Sequence, residues 1–507
     1  MRCGSLLVLV ALAGCPGGDG AIGDHCGDRG DCSSSLQCVE STCVPKCGRA
    51  PDCGDGYSCD KDGICHAAVG QLGDSCTSEV DCASGLSCEL DGIATDAMGH
   101  LAASCVTQNA GKPAAAPCST DGECRNGTCA LGHCIDLCSN TLDCGAGTSC
   151  ALIPRVEAEG SIFAGCLQAH GALRWNLPVH GPSDAVALPI PELYDASGFM
   201  NVARSVAVTF DVEDVNQAVG ATRVTAPDGT LVVTDQSFGD PIHYSDPVRH
   251  QLALGQSVLA MPSSPDTPLE PGVYMMQVTS QNATGTNTGT AIPTATAVIK
   301  LDSSVILDLH FYFLNFDEHP CATSIGGQLD ATAASTQAFF QHDYLIPLRS
   351  MFAQAGIALG TLTYEDLRDH PDLDGLDVAN APSLLALGTH EVGINVFFVR
   401  SLSPIGLQAY APAPGPAGLA GTRGSGIIIG GDTLCYRRWD QLARTTAHEL
   451  ARYMGLYDNE DVAGHPDPIH DDDADASSAN LMFYSELGGT DLSAGQRDIL
   501  SRSAVLR

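Results

Sequence analysis

Residues 448–458 read His-Glu-Leu-Ala-Arg-Tyr-Met-Gly-Leu-Tyr-Asp and bring several chemically capable side chains to meaningful intervals. Positions i and i+4 of a helix share one face, so His448 and the side chain at 452 would point at one spot. A histidine pair at that spacing holds zinc, and a glutamate beside the first histidine acts as general base toward metal-bound water. Glu449 occupies that base position. Gly455 permits a left-handed turn that ends the helix, so the chain can double back and deliver Asp458 as a further ligand. Position 452, however, is arginine. Guanidinium has no lone pair to give and does not deprotonate in proteins. Arg452 therefore opposes a metal where a second histidine would complete the site. Ion pairs from Arg452 to Glu449 and to Asp458 are expected in its place.

The flanking residues predict the helix that would carry this segment. Asp440 is a candidate N-cap. Ala443, Ala447, Leu450, Ala451 and Met454 form one apolar stripe for the core. Thr445, His448 and Arg452 fall on the opposite side, facing a cleft. Further on comes Asn480-Leu481-Met482-Phe483-Tyr484, and Ser493 with Gln496 forms a capping box that opens a last helix running to about Arg502.

This constellation resembles the metzincin zinc endopeptidases. Their signature is H-E-x-x-H-x-x-G-x-x-H, with Asp allowed last in some branches. The resemblance implies that His448 and Asp458 are metal ligands, that Glu449 is catalytic, and that Met482 lies in the methionine turn under the metal. It implies a transition-state role for Tyr484. The departure at Arg452 implies a degenerate site without zinc, in which a salt bridge stands for the metal. A rebuilt zinc site would draw a nitrogen from His465 or His470. The resemblance covers residues 302–507, an α/β (α+β) region. There Val305–Leu314, Ile357–Tyr364, Val392–Val399 and Ser425–Gly430 read as strands, and Ala331–Ala355 reads as one long helix. In the family a strand near 425–430 is the sheet edge that pairs with extended substrate.

The other end of the chain speaks to location. The apolar run Leu6–Leu12 leads into Leu12-Ala13-Gly14-Cys15, which resembles a bacterial lipobox. It implies a signal peptide over 1–14, lipidation of Cys15, and a Gly- and Asp-rich tether over 15–25. The apolar run is too short to span a bilayer. The expectation is a lipoprotein anchored on the exported side of a bacterial envelope.

Cysteine usage points the same way. Of 24 cysteines, 20 lie between Cys26 and Cys166 in five groups of four. The groups are Cys26-Cys32-Cys38-Cys43, Cys47-Cys53-Cys59-Cys65, Cys76-Cys82-Cys88-Cys105, Cys118-Cys124-Cys129-Cys134 and Cys138-Cys144-Cys150-Cys166. An acidic residue precedes the second cysteine each time: Asp31, Asp52, Asp81, Glu123 and Asp143. This is an internal repeat. Structural zinc sites favour closer cysteine pairs, so disulfides are expected. Each group allows three pairings; first with third and second with fourth is the preferred one. So few large apolar residues need crosslinks to fold. Cys321 and Cys435 would pair with each other in the C-terminal region.

Residues 172–301 contain no cysteine. Apolar runs at Ser205–Val212, Ala221–Thr225, Leu231–Thr234, Val273–Val278 and Ala291–Leu301, separated by turn signals, suggest an antiparallel β-sandwich. The region resembles sandwiches attached to secreted bacterial peptidases, but no motif gives it a ligand, and it reads as a spacer.

The formal charge of −36, from 24 basic and 60 acidic residues, argues against nucleic acid and anionic membrane surfaces as partners. The densest acidic stretch, Asp471-Asp472-Asp473-Ala474-Asp475, is a candidate calcium site, although it lacks EF-hand spacing and a solvated loop is the simpler reading. Three functions fit: an anchored pseudoenzyme that binds peptide or protein without cutting it, an active zinc endopeptidase with a remodelled ligand set, and a structural or adhesive envelope protein.

Overall fold

A computed structural model describes residues 25–26, 31–39, 42–47, 57–59, 65–67, 70–95, 99–156, 161–194, 200–244, 246–284, 288–314, 321–460, 465–469, 478–485 and 487–507. The signal, the tether with Cys15, Cys53, His470 and the acidic stretch 471–475 lie outside these residues. Two compact units are present. One comprises the cysteine-rich part through Leu152 with Ser161–Leu167; the other includes Gln168–Leu193 and Met200–Arg507. No described helix is long and apolar enough to cross a membrane.

The cysteine-rich unit is a series of small disulfide-bonded hairpins. Pairing is first with third and second with fourth in the first, third, fourth and fifth groups: Cys26–Cys38, Cys32–Cys43, Cys76–Cys88, Cys82–Cys105, Cys118–Cys129, Cys124–Cys134, Cys138–Cys150 and Cys144–Cys166. The fourth cysteine lies on the hairpin strand opposite the third, as in the register Cys38↔Cys43, Cys88↔Cys105 and Cys129↔Cys134. The recurring acid has a local structural role. Asp81 accepts hydrogen bonds from the backbone N–H groups of Thr77 and Ser78, Glu123 from Ser119, and Asp143 from Ser139 and Asn140. Each folds the loop after a first cysteine around a short 3-10 turn. Cystines and these caps replace an apolar core here.

The second unit begins with two antiparallel sheets. Strands β1 (Ala172–Leu177), β2 (Ser183–Ile190), β3 (Ser205–Asp211), β4 (Gln217–Thr225), β5 (Leu231–Val233), β6 (Gln256–Met261), β7 (Gly272–Asn282) and β8 (Thr294–Lys300) form them. One sheet has the order β1-β8-β3-β6; the other has β2-β7-β4-β5, with Ala253–Leu254 paired to β4. Alternating burial, clearest along β1, is the pattern of strands with one face in a core.

A mixed sheet follows. Its strands are β9 (Ile306–Phe313), β10 (Ala358–Asp366), β11 (Ile394–Val399), β12 (Ala409–Tyr410) and β13 (Ile427–Gly430), in the order β10-β9-β11-β13-β12. All neighbours are parallel except β12 and β13. The central strands are buried on both sides, as a covered parallel sheet requires, with Asp308, His310 and Asn395 the polar residues among their apolar ones. Leu307, Leu309, Phe311 and Phe313 face one core with helices α1 (Leu345–Ala353), α2 (Trp439–Tyr453) and α3 (Ala494–Arg502). Tyr312, Phe397, Val399 and Ile428 face a second core with Leu376, Leu384 and Leu385.

Four sequence expectations are corrected. The run 331–355 is three helices, Ala331–Thr336, Ala338–Gln341 and α1, because Gln337 is extended and Pro347 fits only within the first turn of a new helix. The breaks let Phe340 and Tyr344 both reach the core against Trp439. Second, the 425–430 strand is internal; the edge on its side of the sheet is β12. Third, Arg438, not Asp440, is the N-cap of α2, and Asp440 sits in the first turn bound to the Arg438 guanidinium. Fourth, the sandwich is no spacer. Ala207, Val258 and Val298 belong to the same apolar core as α2, and the buried Lys300 Nζ donates to the Leu506 carbonyl at 3.0 Å. Burial of shared apolar surface makes these regions one body.

Candidate functional site

The site is built on α2, nearly all of which is buried because the helix lies between the sheet and the 480–489 loop. Arg444 is 7% exposed and holds that loop. Its Nη2 donates to the carbonyls of Leu481 at 2.8 Å and Phe483 at 3.1 Å, and its Nε donates to Gly489 O at 3.2 Å. One turn on, His448 Nδ1 donates to the same Leu481 carbonyl at 3.0 Å. That bond orients the ring, and the other nitrogen, Nε2, lies 3.3 Å from Asp458 Oδ1. Met482 is fully buried in the core beside this loop, and its carbonyl accepts from Asn459 N.

Gly455 ends the helix with φ +114°, a conformation few side chains tolerate. Leu456 N donates to Ala451 O, closing the turn, and the chain returns to deliver Asp458 to the helix face. There Arg452 Nη1 lies 3.6 Å from Glu449 Oε2, and Arg452 Nε lies 3.8 Å from Asp458 Oδ1. Burial works against the Arg452 charge, but Glu449 and Asp458 hold its affinity for the proton above the ordinary value. Burial likewise opposes ionisation of Asp458, yet His448 and then Arg452 keep its carboxyl below the usual range.

The sandwich reaches this site, which no local pattern announced. Arg249 is 4% exposed and its guanidinium stacks 3.9 Å from the Tyr457 ring centroid. Burial lowers it to about 10, with Tyr457 opposing, and both Arg452 and Asp458 act on it electrostatically. Tyr244, also from the sandwich, packs on Tyr457 and stacks on His465 at 5.7 Å. On the other flank Tyr410 of β12 is within the electrostatic reach of Arg452 and Glu449; burial pushes its hydroxyl up.

His448, Glu449, Arg452, Asp458 and Gly455 thus come together, with Met482 beneath. Tyr484 stands apart: it is 47% exposed, its ring packs on Phe483, and among the described residues no hydrogen bond joins it to the cluster. His465 is engaged by Tyr244. Arg249, Arg444, Tyr410 and Tyr457 are the members that sequence reasoning missed. Only Tyr457, inside the 448–458 segment, carried a positional signal.

The donor set does not fit zinc. A zinc site needs three protein ligands or more. His448 and Asp458 face each other, and the side chain four residues on from His448 is a guanidinium, which has no lone pair to give. Among the described residues, the only groups of three metal-ligating atoms within 4.8 Å of one another are cysteines, such as Cys26, Cys32 and Cys43. Reduced, these triads are close enough to hold a metal ion; in the structure every one of their sulfurs is in a disulfide, which leaves no thiolate. Cys321 is bonded to Cys435, tying the start of the C-terminal region to the turn before α2.

No protein-family model matches this chain, and no curated protein resembles it significantly in sequence.

Proposed function

We propose that this protein is an envelope-anchored lipoprotein whose C-terminal region is a metzincin-like domain without zinc, and that it binds a peptide or protein segment without cutting it. The observation that carries this reading is Arg452, whose guanidinium lies between Glu449 and Asp458 where a second histidine would be needed. Without a metal, Glu449 has no activated water to deprotonate. What persists is a recognition surface. β12 ends the mixed sheet, offers main-chain N–H and C=O groups, and adjoins α2, so an extended segment could add to it as a further strand. The Cys15 anchor and the disulfide repeats would hold this surface outside the membrane.

Metal analysis and peptide incubation of the purified full chain test the reading. The expected result is less than 0.1 zinc per chain, retention of unstructured peptides and no cleavage products. Stoichiometric zinc with proteolysis that disappears in Glu449→Gln would establish the remodelled peptidase instead.

A further inference from the structure

Away from α2, the sandwich carries a recess of about 170 Å³ between the β4–β5 turn, residues 247–248 and the loop 262–271 that leads into β7. Its floor is buried and largely apolar, made by Val248, Met261, Leu269 and Tyr274. Its mouth is exposed and acidic, made by Asp228, Asp266 and Glu270. The Asp228 carboxylate is engaged by its own turn, accepting from Thr230 N and Thr230 Oγ1. Asp266 and Glu270 donate their backbone N–H groups to Ser264 Oγ and to the Tyr274 hydroxyl, and among the described residues their carboxylates hold no hydrogen bond or ion pair.

The charges around the recess have one sign. None of the described residues that line it is basic. The basic residues that flank these segments in sequence are engaged elsewhere: Arg249 against the Tyr457 ring, Arg223 with Asp235 and His243 with Asp246. Burial raises the Tyr274 hydroxyl, and the charges of Glu270 and Asp228 add to that, so both carboxylates act on the same buried side chain. Low-dielectric walls under charges of one sign focus the field on an opposite charge. An anion is therefore repelled, and a bare metal ion gains nothing from the floor. A lysine side chain would enter ammonium first and set its charge on apolar carbon. The guest that matches both levels has an apolar end to go in and an ammonium to stay at the mouth. The amino-terminal residue of a peptide has this form when its side chain is apolar. A cavity of about 150 Å³ holds a benzene-sized group, so this one admits a side chain the size of leucine or methionine.

We infer that this recess binds the free amino terminus of a peptide that begins with an apolar residue. The first side chain covers Met261 and Tyr274, the α-ammonium donates to the carboxylates of Asp266 and Glu270, and the remaining residues lead out to solvent. No bond is made or broken. The site belongs to the sandwich and stands whether or not an extended segment adds to β12.

Calorimetric titration of the full chain with the tripeptide amide Leu-Gly-Gly tests this, at about pH 6.5 so that the α-amine, whose ordinary value is about 7.7–8.0, is protonated. Saturable binding to one site is expected. The N-acetylated form of the same peptide lacks the charge, and Gly-Gly-Gly amide lacks the apolar group; each should bind at least tenfold more weakly. The double variant Asp266→Asn, Glu270→Gln, nearly isosteric at two exposed positions, should weaken Leu-Gly-Gly amide at least tenfold. Glu213→Gln with Asp372→Asn removes the same charge from exposed positions that do not line the recess and should leave affinity unchanged within about twofold. Equal affinity for the free and acetylated peptides would make the recess an apolar pocket and overturn the inference, and that comparison needs only the unaltered protein. Equal weakening in the two double variants would assign the attraction to the net charge of the whole chain and also overturn it. So would the failure of the wild-type protein to bind Leu-Gly-Gly amide.

Discussion

Arg452 lies one turn beyond Glu449 on the same helix and sets its guanidinium between that carboxylate and Asp458, 3.6 Å from one and 3.8 Å from the other. A fixed internal cation thus stands on the helix face that His448 also occupies, four residues away. Its side chain is 31% exposed, so solvent screens part of the interaction. Replacing Arg452 with alanine removes the cation beside both carboxylates and should destabilise the second unit by about 1–3 kcal/mol, less than a fully buried pair would cost. Thermal unfolding of the variant measures this.

Arg452→His should behave differently. It supplies a lone pair at i+4 from His448 and restores three ligands with Asp458. Its melting temperature should rise with added zinc, because a ligand specific for the native state stabilises by mass action. The wild-type melting temperature should stay constant over the same titration. A zinc-dependent rise in the wild type, of the size seen in the variant, would mean that Arg452 does not block the site.

Arg444 makes three hydrogen bonds to the carbonyls of Leu481, Phe483 and Gly489 from a buried position. Arg444→Met keeps the bulk and removes the donors. Charge-assisted bonds of this kind are worth about 1.5–3 kcal/mol each and are not additive, so a loss of roughly 2–4 kcal/mol is expected. Hydrogen exchange should localise the change to the 480–489 loop. Unaltered protection there would show that the loop is held by other contacts.

Glu79 gives the cysteine-rich unit a pH dependence. Burial, then the neighbouring Asp136, pushes its carboxyl up to about 7 from 4.5, although it accepts a hydrogen bond from Cys88 N. The folded state therefore holds a proton that the unfolded state releases between those two values. Below about 4.5 both states are protonated and nothing is lost; stability falls as pH rises toward 7, and the full cost is present above it. The cost is on the order of 1–3 kcal/mol. Calorimetry should find this unit less stable at pH 8 than at pH 5, with much of the difference abolished in Glu79→Gln. An identical pH profile for the two proteins would contradict the assignment.

Cys15→Ala tests the anchor. The variant should leave the membrane fraction or remain unprocessed, while the parent carries lipid at Cys15. Mass spectrometry of the mature parent protein decides the matter, since an unmodified Cys15 would be incompatible with a lipoprotein.

Much of this architecture was readable in the chain because its causes are local. The repeated cysteine groups announce disulfides through their spacing and even count, while the choice among three pairings is seen only in the fold, and the acid before the second cysteine marks a capped turn at Asp81, Glu123 and Asp143. Strand β9 shows itself as a largely apolar run, interrupted only by Asp308 and His310, because both faces of its sheet are covered. Gly455 marks the end of α2, since the sharp return to Asp458 requires positive φ. The arginine at 452 spoke against a metal from its functional group alone. Other features rest on contacts between residues far apart in sequence. Whether β13 or β12 formed the sheet edge depended on which segment paired last, and β12 is too short to carry a periodic signal. Residues 331–355 could have continued as one helix; the need to bury Phe340 and Tyr344 against Trp439, with Pro347 confined to a first turn, divided them. Arg249 lies 203 positions before Arg452 and entered the site only because the sandwich shares a core with α2. Local stereochemistry and side-chain chemistry are written residue by residue, whereas the company a side chain keeps is set by the packing of whole surfaces.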